Sequence, residues 1–241
     1  MSALRAVVFD VDGTLVDSER HGHRVAFNAA FAEAGLPYVW DEELYGELLR
    51  TTGGRSRLER YLSGQGVGEV ERGTLATELH VRKTTIMKEM VAGGRIEARP
   101  GVGALIDQLV ERGVRLGVAT TGSRGWVEGL LATIFPGVTF EVAVFGDEVA
   151  RKPEPDAYLV AMQRLGVGPD GAVAVEDSAE GLTAAKRAGM PCVVVVNGYT
   201  RDHDLTGADL VVDDFRDLDA AALAALLDEG RPDPGQDPPG G

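Results

Sequence analysis

The chain has 241 residues, of which 44% are apolar, and a formal net charge of −14. This length and composition can bury a sizeable core, and they fit one domain with an insertion or two small domains. The negative charge argues against nucleic acid and anionic membranes as partners, and no apolar stretch approaches the roughly 20 residues of a membrane span. The lone Cys192 lies in an apolar run, so we expect a buried inert thiol. The first predicted strand begins within a few residues of the N-terminus, so we expect no signal peptide and a cytoplasmic protein.

The first predicted element is a strand that ends in two acidic residues. Val7–Phe9 is an apolar run of β-branched and aromatic residues, and Asp10, Asp12 and Gly13 follow it. Such a run is typical of a buried parallel strand, and the carboxyl ends of parallel strands form the ligand crevice of open α/β sheets. Two carboxylates this close repel each other unless a cation lies between them or one keeps a proton. The pair therefore predicts a site for a hard divalent cation such as Mg²⁺.

A calcium-binding EF-hand loop also begins with an Asp-x-Asp pair. That loop needs a third oxygen donor before its glycine and a Glu at its twelfth position. Here Gly13 comes too early, His21 occupies the twelfth position, and an apolar strand precedes the pair in place of a helix. The EF-hand interpretation is therefore set aside.

Helical patterns dominate the next segment, residues 17–93. The predicted helices are Arg20–Ala34, Asp41–Leu49, Ser56–Leu62 and about Glu69–Val91. Helices inserted between the first two strands of a parallel sheet predict a cap over the carboxyl edge of the sheet. Gly93-Gly94 and Arg99–Gly101 are the expected return hinge.

Strand and helix patterns alternate after residue 94. The predicted strands are Val114–Ala119, Phe140–Phe145, Ala172–Val175, Cys192–Val196 and Leu210–Val212. The predicted helices are Val102–Arg112, Gly125–Ile134, Asp156–Leu165, Ala179–Ala188 and Ala220–Asp228. This alternation predicts an α/β fold, a doubly wound parallel sheet, with a Rossmann-like core at residues 1–16 and 94–229 and the inserted helical cap at 17–93. Residues 230–241 contain only Gly, Pro, Asp, Gln and Arg, which predicts a disordered tail.

Three more groups of polar residues follow later strands or lie in a proline-rich loop. Thr120–Gly122 follows the second strand, Lys152 lies between Arg151 and Pro153, and Glu176-Asp177 follows the strand that ends at Val175. A parallel sheet can bring all of them to the edge that carries Asp10. At that edge a hydroxyl and backbone N–H groups can hold phosphoryl oxygens, a lysine can neutralise the phosphate, and a carboxylate pair can complete a metal site.

This ordered set of four motifs resembles the haloacid dehalogenase-like hydrolase superfamily. Asp17–Glu19, Arg24–Phe31 and Leu48–Arg55 are similar to its subgroup of CbbY-like and β-phosphoglucomutase-like phosphatases. The resemblance covers roughly residues 4 to 215 and implies that the first strand lies centrally. One departure is that Gly22-His23 adds a residue where relatives have a single His, which leaves the roles of His21 and His23 open.

The resemblance implies a role for each core residue. Asp10 is the nucleophile that attacks phosphorus and forms an aspartyl-phosphate. Asp12 is the general acid and then the general base, and its backbone carbonyl binds the metal. Lys152 bridges the phosphoryl group and Asp10, while Thr120 binds phosphate with the N–H groups of Thr121 and Gly122 nearby. The expected Mg²⁺ ligands are Asp10, Asp12, Glu176 and Asp177.

Simpler roles stay open for several of these residues. Asp10 can be a plain metal ligand that activates water. Thr120 can end its strand or cap a helix, and Glu176 or Asp177 can cap the helix that begins near Ser178.

The core motifs contain no group for recognising the leaving alcohol, so we expect the helical segment to supply it. The predicted substrate-binding residues there are Glu19, Arg50, Gly53, Gly54, Arg55 and Lys83. Glu19 can accept sugar hydroxyls, and the Gly53–Arg55 segment offers backbone N–H groups and a guanidinium for a distal phosphate. Lys83 lies near the place where related mutases carry a lysine that contacts phosphate. Each of these charged residues can instead be a solvated surface residue.

The sequence thus predicts a monomeric Mg²⁺-dependent phosphatase of small phosphorylated sugars. The Leu49–Arg55 segment resembles the bisphosphate phosphatases more than the mutases, so a pentulose bisphosphate such as xylulose 1,5-bisphosphate is the expected substrate. One alternative is a β-phosphoglucomutase-like sugar phosphomutase that uses the same aspartyl-phosphate. Another is a non-catalytic sugar-phosphate sensor, against which the intact acid/base residue Asp12 argues.

Overall fold

The computed structural model describes residues 4–51 and 53–229, so the predicted tail lies outside the described residues. These residues form two compact units, one of residues 4–15, 98–124 and 137–229, the other of residues 16–51, 53–97 and 125–136. The domain boundaries drawn from the sequence, after residues 16 and 93, stay a prediction. Among the described residues no helix is both long and apolar enough to cross a membrane.

The first unit is built on a six-stranded sheet in the order β3-β2-β1-β4-β5-β6, and every pair of neighbours is parallel. The strands are β1 Ala6–Phe9, β2 Arg115–Ala119, β3 Val142–Val144, β4 Ala172–Glu176, β5 Cys192–Val195 and β6 Leu210–Val212. Both β1 and β4 are buried along their whole length, as expected for central strands covered by helices on both faces. The predicted doubly wound sheet is therefore confirmed, and β1 lies inside it between β2 and β4.

The register of the sheet decides which residues meet at its carboxyl edge. Phe9 pairs with Val118 on one side and with Val175 on the other. The residues that come next, Asp10 and Glu176, therefore lie side by side. The sheet order also reverses its direction of winding between β1 and β4, and ligands of open α/β sheets bind at such a switch point.

The described residues also contain nine α-helices. They are α1 Arg24–Glu33, α2 Glu42–Leu49, α3 Gly54–Gly64, α4 Glu69–Ala92, α5 Val102–Glu111, α6 Arg124–Ile134, α7 Asp156–Leu165, α8 Ala179–Arg187 and α9 Ala220–Glu229. The predicted helix over Ser56–Leu62 begins earlier, at Gly54, because Gly53 turns the chain with a φ of 90°.

The second unit packs its helices around a cluster of aromatic rings. Trp40 is fully buried, and its ring centroid lies 4.7 Å from that of Phe27 and 5.0 Å from that of Phe31. The backbone of Trp40 is fixed by the Asn28 side chain, whose Nδ2 donates to Trp40 O at 2.8 Å and whose Oδ1 accepts from Trp40 N at 2.7 Å. This cluster sets the position of α1.

The chain enters α1 through a π turn at Glu19–His23, where the sequence predicted a regular helix over Arg20–Ala34. A helix can absorb one extra residue by widening locally into such a turn, so the π turn is compatible with the added residue that the family resemblance implies at Gly22-His23. A Cβ at Gly22 would lie 2.6 Å from Met87 Cε, so a larger residue there would require the Met87 side chain to move. His23 lies edge-on to Trp126, with 5.2 Å between ring centroids, while His21 is exposed.

Candidate active site

Four charged side chains meet at the carboxyl edge of the sheet, at the switch point between β1 and β4. They are Asp10, Lys152, Glu176 and Asp177, and each is at most 7% exposed. Lys152 Nζ donates to Asp10 Oδ1 at 2.7 Å, to Glu176 Oε1 at 2.5 Å and to the carbonyl of Ala119 at 2.8 Å. The structure thus brings together the residues that the sequence placed after two strands and in the proline-rich loop.

Asp177 belongs to the same site through the loop that follows β1. Its Oδ2 accepts a hydrogen bond from Asn197 Nδ2 at 2.7 Å, and its Oδ1 accepts one from Thr14 Oγ1 at 3.4 Å. Gly13, with a φ of 91°, lies so close that a Cβ there would be 2.3 Å from Asp177 Oδ2. The cap of α8 is Ser178, whose Oγ accepts from Gly181 N at 3.2 Å. Ser178 therefore makes the capping hydrogen bond of α8, while the Glu176 carboxylate packs against Gly181 in the first turn of that helix, where a Cβ would lie 2.0 Å from Glu176 Cδ.

The electrostatics of the cluster show an excess of negative charge. Burial raises the pKa of Asp10 to about 7, with the attraction of Lys152 opposing this shift and Glu176 adding to it. Burial, followed by repulsion from Asp10, raises the pKa of Asp177 well above its usual range. Burial alone would lower the pKa of Lys152, but Asp10 and Glu176 outweigh it and raise that pKa. One ammonium group is therefore too little positive charge for the three carboxyl groups around it.

A divalent cation fits this arrangement. One oxygen each of Asp10, Glu176 and Asp177 lies within 4.8 Å of the others, and all three residues are buried. Carboxylate oxygens are ligands that Mg²⁺ prefers, and a cation would favour the ionised forms of Asp10 and Asp177, which burial and mutual repulsion disfavour. The donor set thus agrees with the Mg²⁺ site predicted from the sequence.

The other predicted core residues flank the cluster. Asp12 is half-buried in the turn after β1, next to Gly13. Thr120 is 1% exposed, and its Oγ1 accepts a hydrogen bond from Gly122 N at 2.9 Å. This bond closes a local turn before α6, which begins at Arg124, and it does not cap that helix. A hydroxyl that accepts one bond can still donate its proton to a phosphoryl oxygen. The loop is held in place by Gly146 N, which donates to Gly122 O at 2.9 Å.

Two side chains that the sequence pattern did not single out orient the carboxylates. Tyr158 OH donates to Glu176 Oε1 at 2.5 Å, and Asn197 holds Asp177 as described above. Tyr158 lies on the apolar face of α7 and is fully buried, so its helical spacing alone indicates a packing residue. The one signal in the sequence is that Tyr158 follows Lys152 by only six residues. This places Tyr158 in the first turn of α7, close to the loop that carries Lys152.

Within the helical unit, Glu19 takes part in a network with a buried arginine that the sequence did not single out. Tyr45 OH donates to Glu19 Oε2 at 2.5 Å, and Arg57 Nη1 donates to Tyr45 OH at 2.9 Å. Arg57 is 6% exposed, whereas the predicted Arg55 is exposed and forms an ion pair with Glu59 at 3.0 Å. Side chains two residues apart on an α-helix are related by a rotation of about 200° about the helix axis. Arg55 and Arg57 therefore face in nearly opposite directions.

The remaining predicted substrate-binding residues lie at the start of α3, on α4 and at the end of α2. A Cβ at Gly54 would lie 3.0 Å from the His80 ring and 3.2 Å from Phe27. Lys83 is buried, and its ammonium lies 5.0 Å from the centroid of the same Phe27 ring. The start of α3 and Lys83 thus share a neighbour, whereas Arg50 is exposed at the end of α2.

Comparison with known proteins identifies the family. The model of the haloacid dehalogenase-like hydrolases matches residues 4–189. The chain belongs to this family. Protein CbbY of Rhodobacter capsulatus is 43% identical over 227 residues, which cover 92% of this chain and 97% of that protein. The phosphoglycolate phosphatase of Rhodospirillum rubrum is 34% identical and aligns over 97% of this chain and 94% of its own.

A solved structure agrees with these sequence relationships. The crystal structure of a CbbY mutant from Rhodobacter sphaeroides, in complex with xylulose-(1,5)bisphosphate, superposes with a TM-score of 0.81 at 42% identity. The match covers 91% of this chain and 99% of that one. The family resemblance read from the four motifs is confirmed, and this haloacid dehalogenase-like hydrolase acts on phosphoric monoesters.

Proposed function

We propose that the protein is a Mg²⁺-dependent sugar-phosphate phosphatase that works through an aspartyl-phosphate on Asp10. The observation that carries this proposal is the buried contact between Lys152 and both Asp10 and Glu176, with Asp177 beside them. A buried carboxylate held by a lysine at a sheet switch point is suited to attack phosphorus in line.

Each core residue has a task in this reaction. Asp10 attacks phosphorus and breaks the bond to the leaving oxygen, while Asp12 donates a proton to that oxygen and later takes one from water. Lys152 and the N–H groups of Thr121 and Gly122 stabilise the negative charge of the transferred group. Bound Mg²⁺, held by Asp10, the Asp12 carbonyl, Asp177 and Glu176, would neutralise phosphoryl charge.

The substrate we propose is a pentulose bisphosphate, with xylulose 1,5-bisphosphate as the first candidate. The support is the similarity to CbbY, one structure of which holds that compound. In the helical unit the Glu19–Tyr45 pair offers polar groups for sugar hydroxyls. The N–H groups at the start of α3 and the ammonium of Lys83 are suited to the phosphate that is not transferred.

A sugar phosphomutase would use the same aspartyl-phosphate but return the phosphoryl group to a second sugar hydroxyl. Incubation with xylulose 1,5-bisphosphate and Mg²⁺ should release one orthophosphate for each sugar consumed, and Asp10→Asn should abolish the release. If β-glucose 1-phosphate is instead converted to glucose 6-phosphate without orthophosphate, the mutase is the correct assignment. If neither reaction occurs, the protein is better explained as a sensor.

Monomeric state and cytoplasmic location stay predictions.

A further inference from the structure

Arg99 lies on the return hinge predicted from the sequence, and its side chain reaches toward the carboxylate site. Its Nη1 donates to the carbonyls of Gly13, at 2.7 Å, and of Val195, at 2.8 Å. Its Nη2 donates to the carbonyl of Val196 at 2.7 Å. One guanidinium thus joins the loop that follows β1 to the carboxyl end of β5.

The backbone around Arg99 fixes the position from which its side chain extends. Arg99 N donates to Leu15 O at 2.9 Å, and the guanidinium lies over the Phe215 ring, 5.4 Å from its centroid. Gly101 has a φ of 87°, and a Cβ there would be 2.7 Å from Arg216 N. Because the chain on both sides of Arg99 is held, its three carbonyl contacts have a defined geometry.

The carbonyl of Gly13 connects these contacts to the reacting groups. Asn197 Nδ2 donates to Gly13 O at 3.3 Å and to Asp177 Oδ2 at 2.7 Å. Gly13 is the residue next to Asp12, and it packs directly against Asp177. A shift of the Gly13 peptide would therefore move both residues.

We propose that Arg99 is a positioning residue that fixes the loop carrying Asp12 against Asp177. This inference rests on the proposed phosphatase function. A planar guanidinium can hold carbonyls of two separate segments at once, which an ammonium does with less directional control. A displacement of about 1 Å at a reacting group can lower a rate about 100-fold.

The test compares two esters of similar size that lack a second phosphate. Benzyl phosphate has a basic leaving alcohol that needs a proton from Asp12, whereas p-nitrophenolate departs without one. For Arg99→Met we expect kcat/KM to fall about 10- to 100-fold on benzyl phosphate and less than about threefold on p-nitrophenyl phosphate. Asp12→Asn should show the same selectivity, and Arg99→Lys should lie between Arg99→Met and the unsubstituted protein.

Arg115→Met is the matched control. Arg115 is also half-buried in the first unit, and its Nη1 donates to the carbonyl of Leu165 at 2.5 Å, but it begins β2 at the opposite edge of the sheet. Arg115→Met should leave the ratio of kcat/KM on benzyl phosphate to kcat/KM on p-nitrophenyl phosphate unchanged.

Equal losses on both esters for Arg99→Met, or for Arg99→Lys if the former does not fold, would refute the positioning role. An unsubstituted protein that hydrolyses neither these esters nor xylulose 1,5-bisphosphate would refute the proposed function, and this inference with it. If only the bisphosphate is hydrolysed, an unchanged kcat/KM of Arg99→Met on it would refute the inference alone.

Discussion

Replacing Asp10 by Asn is expected to stabilise the metal-free protein at alkaline pH. Asp10 is one of three buried carboxyl groups gathered around the ammonium of Lys152 and near one another. Burial raises the pKa of Asp10 from 3.8 to about 7, so the ionised form is disfavoured in the folded state. An Asn side chain has the same shape and can still accept a hydrogen bond from Lys152, but it carries no charge.

The size of the effect follows from the shift in pKa. A carboxyl group whose pKa rises on folding stabilises the folded state when protonated, and that contribution is lost as the pH rises from about 4 through about 7. A shift of about 3 units costs at most about 4 kcal/mol above pH 7. The attraction of Lys152 is already contained in this net shift. Burial of the polar Asn amide, whose N–H groups need hydrogen-bond partners, opposes part of the gain. We therefore expect a net gain of about 2 kcal/mol at pH 8, which raises Tm by about 4–8 °C in a chain of this size.

The assay is thermal unfolding in EDTA at pH 5 and pH 8. The difference in Tm between Asp10→Asn and the unsubstituted protein should be larger at pH 8. Asp107→Asn, which changes an exposed carboxylate in α5, alters the net charge equally and should show no such dependence on pH. If Asp10→Asn is less stable than the unsubstituted protein at pH 8, or if the difference in Tm is the same at both pH values, the ionised Asp10 does not destabilise the folded state.

Three further predictions concern the metal, the substrate and the hydrogen bond from Tyr158 to Glu176. EDTA should abolish orthophosphate release and Mg²⁺ should restore it, and undiminished turnover in excess chelator would contradict the metal assignment. Arg55→Ala and Lys83→Ala should lower kcat/KM for the bisphosphate far more than for p-nitrophenyl phosphate, which has no distal phosphate; equal losses would place them in the core chemistry or in folding. Tyr158→Phe should lower the free energy of unfolding by about 1–3 kcal/mol in urea titrations, because Glu176 loses a buried donor, and unchanged stability would contradict this.

The core of the site was predictable because parallel strands impose a simple geometry. Apolar runs identified β1 and β4, and the residue after Phe9 and the last residue of β4 must meet once these strands pair in register. Asp10, Glu176 and Asp177 could therefore be placed together without knowing a single side-chain angle. Lys152 followed from its motif and from its place in the loop before α7.

Residues that act through the direction of a side chain could not be placed in this way. Arg55 and Arg57 are equally basic in the sequence, and only the packing of α3 shows which one is buried against Tyr45. Arg99 looked like part of a hinge, because nothing in the sequence reveals that its guanidinium reaches the carbonyls of Val195, at the end of β5, and of Val196. Long side chains have many rotamers, so their contacts depend on tertiary structure more than on pattern.

The π turn at Glu19–His23 shows how the added residue expected at Gly22-His23 can be tolerated beside a candidate binding residue. In a regular helix one added residue would rotate Glu19 by about 100° relative to α1. Two contacts fix the ends of the segment: the Phe27–Trp40 packing holds α1, and the Tyr45 hydroxyl holds the Glu19 carboxylate. The π turn between them takes up the added residue, so Glu19 keeps its contact with Tyr45 while the aromatic cluster stays packed. The π turn thus confines the irregular backbone to the segment with His21 and His23, next to a residue proposed to bind the sugar.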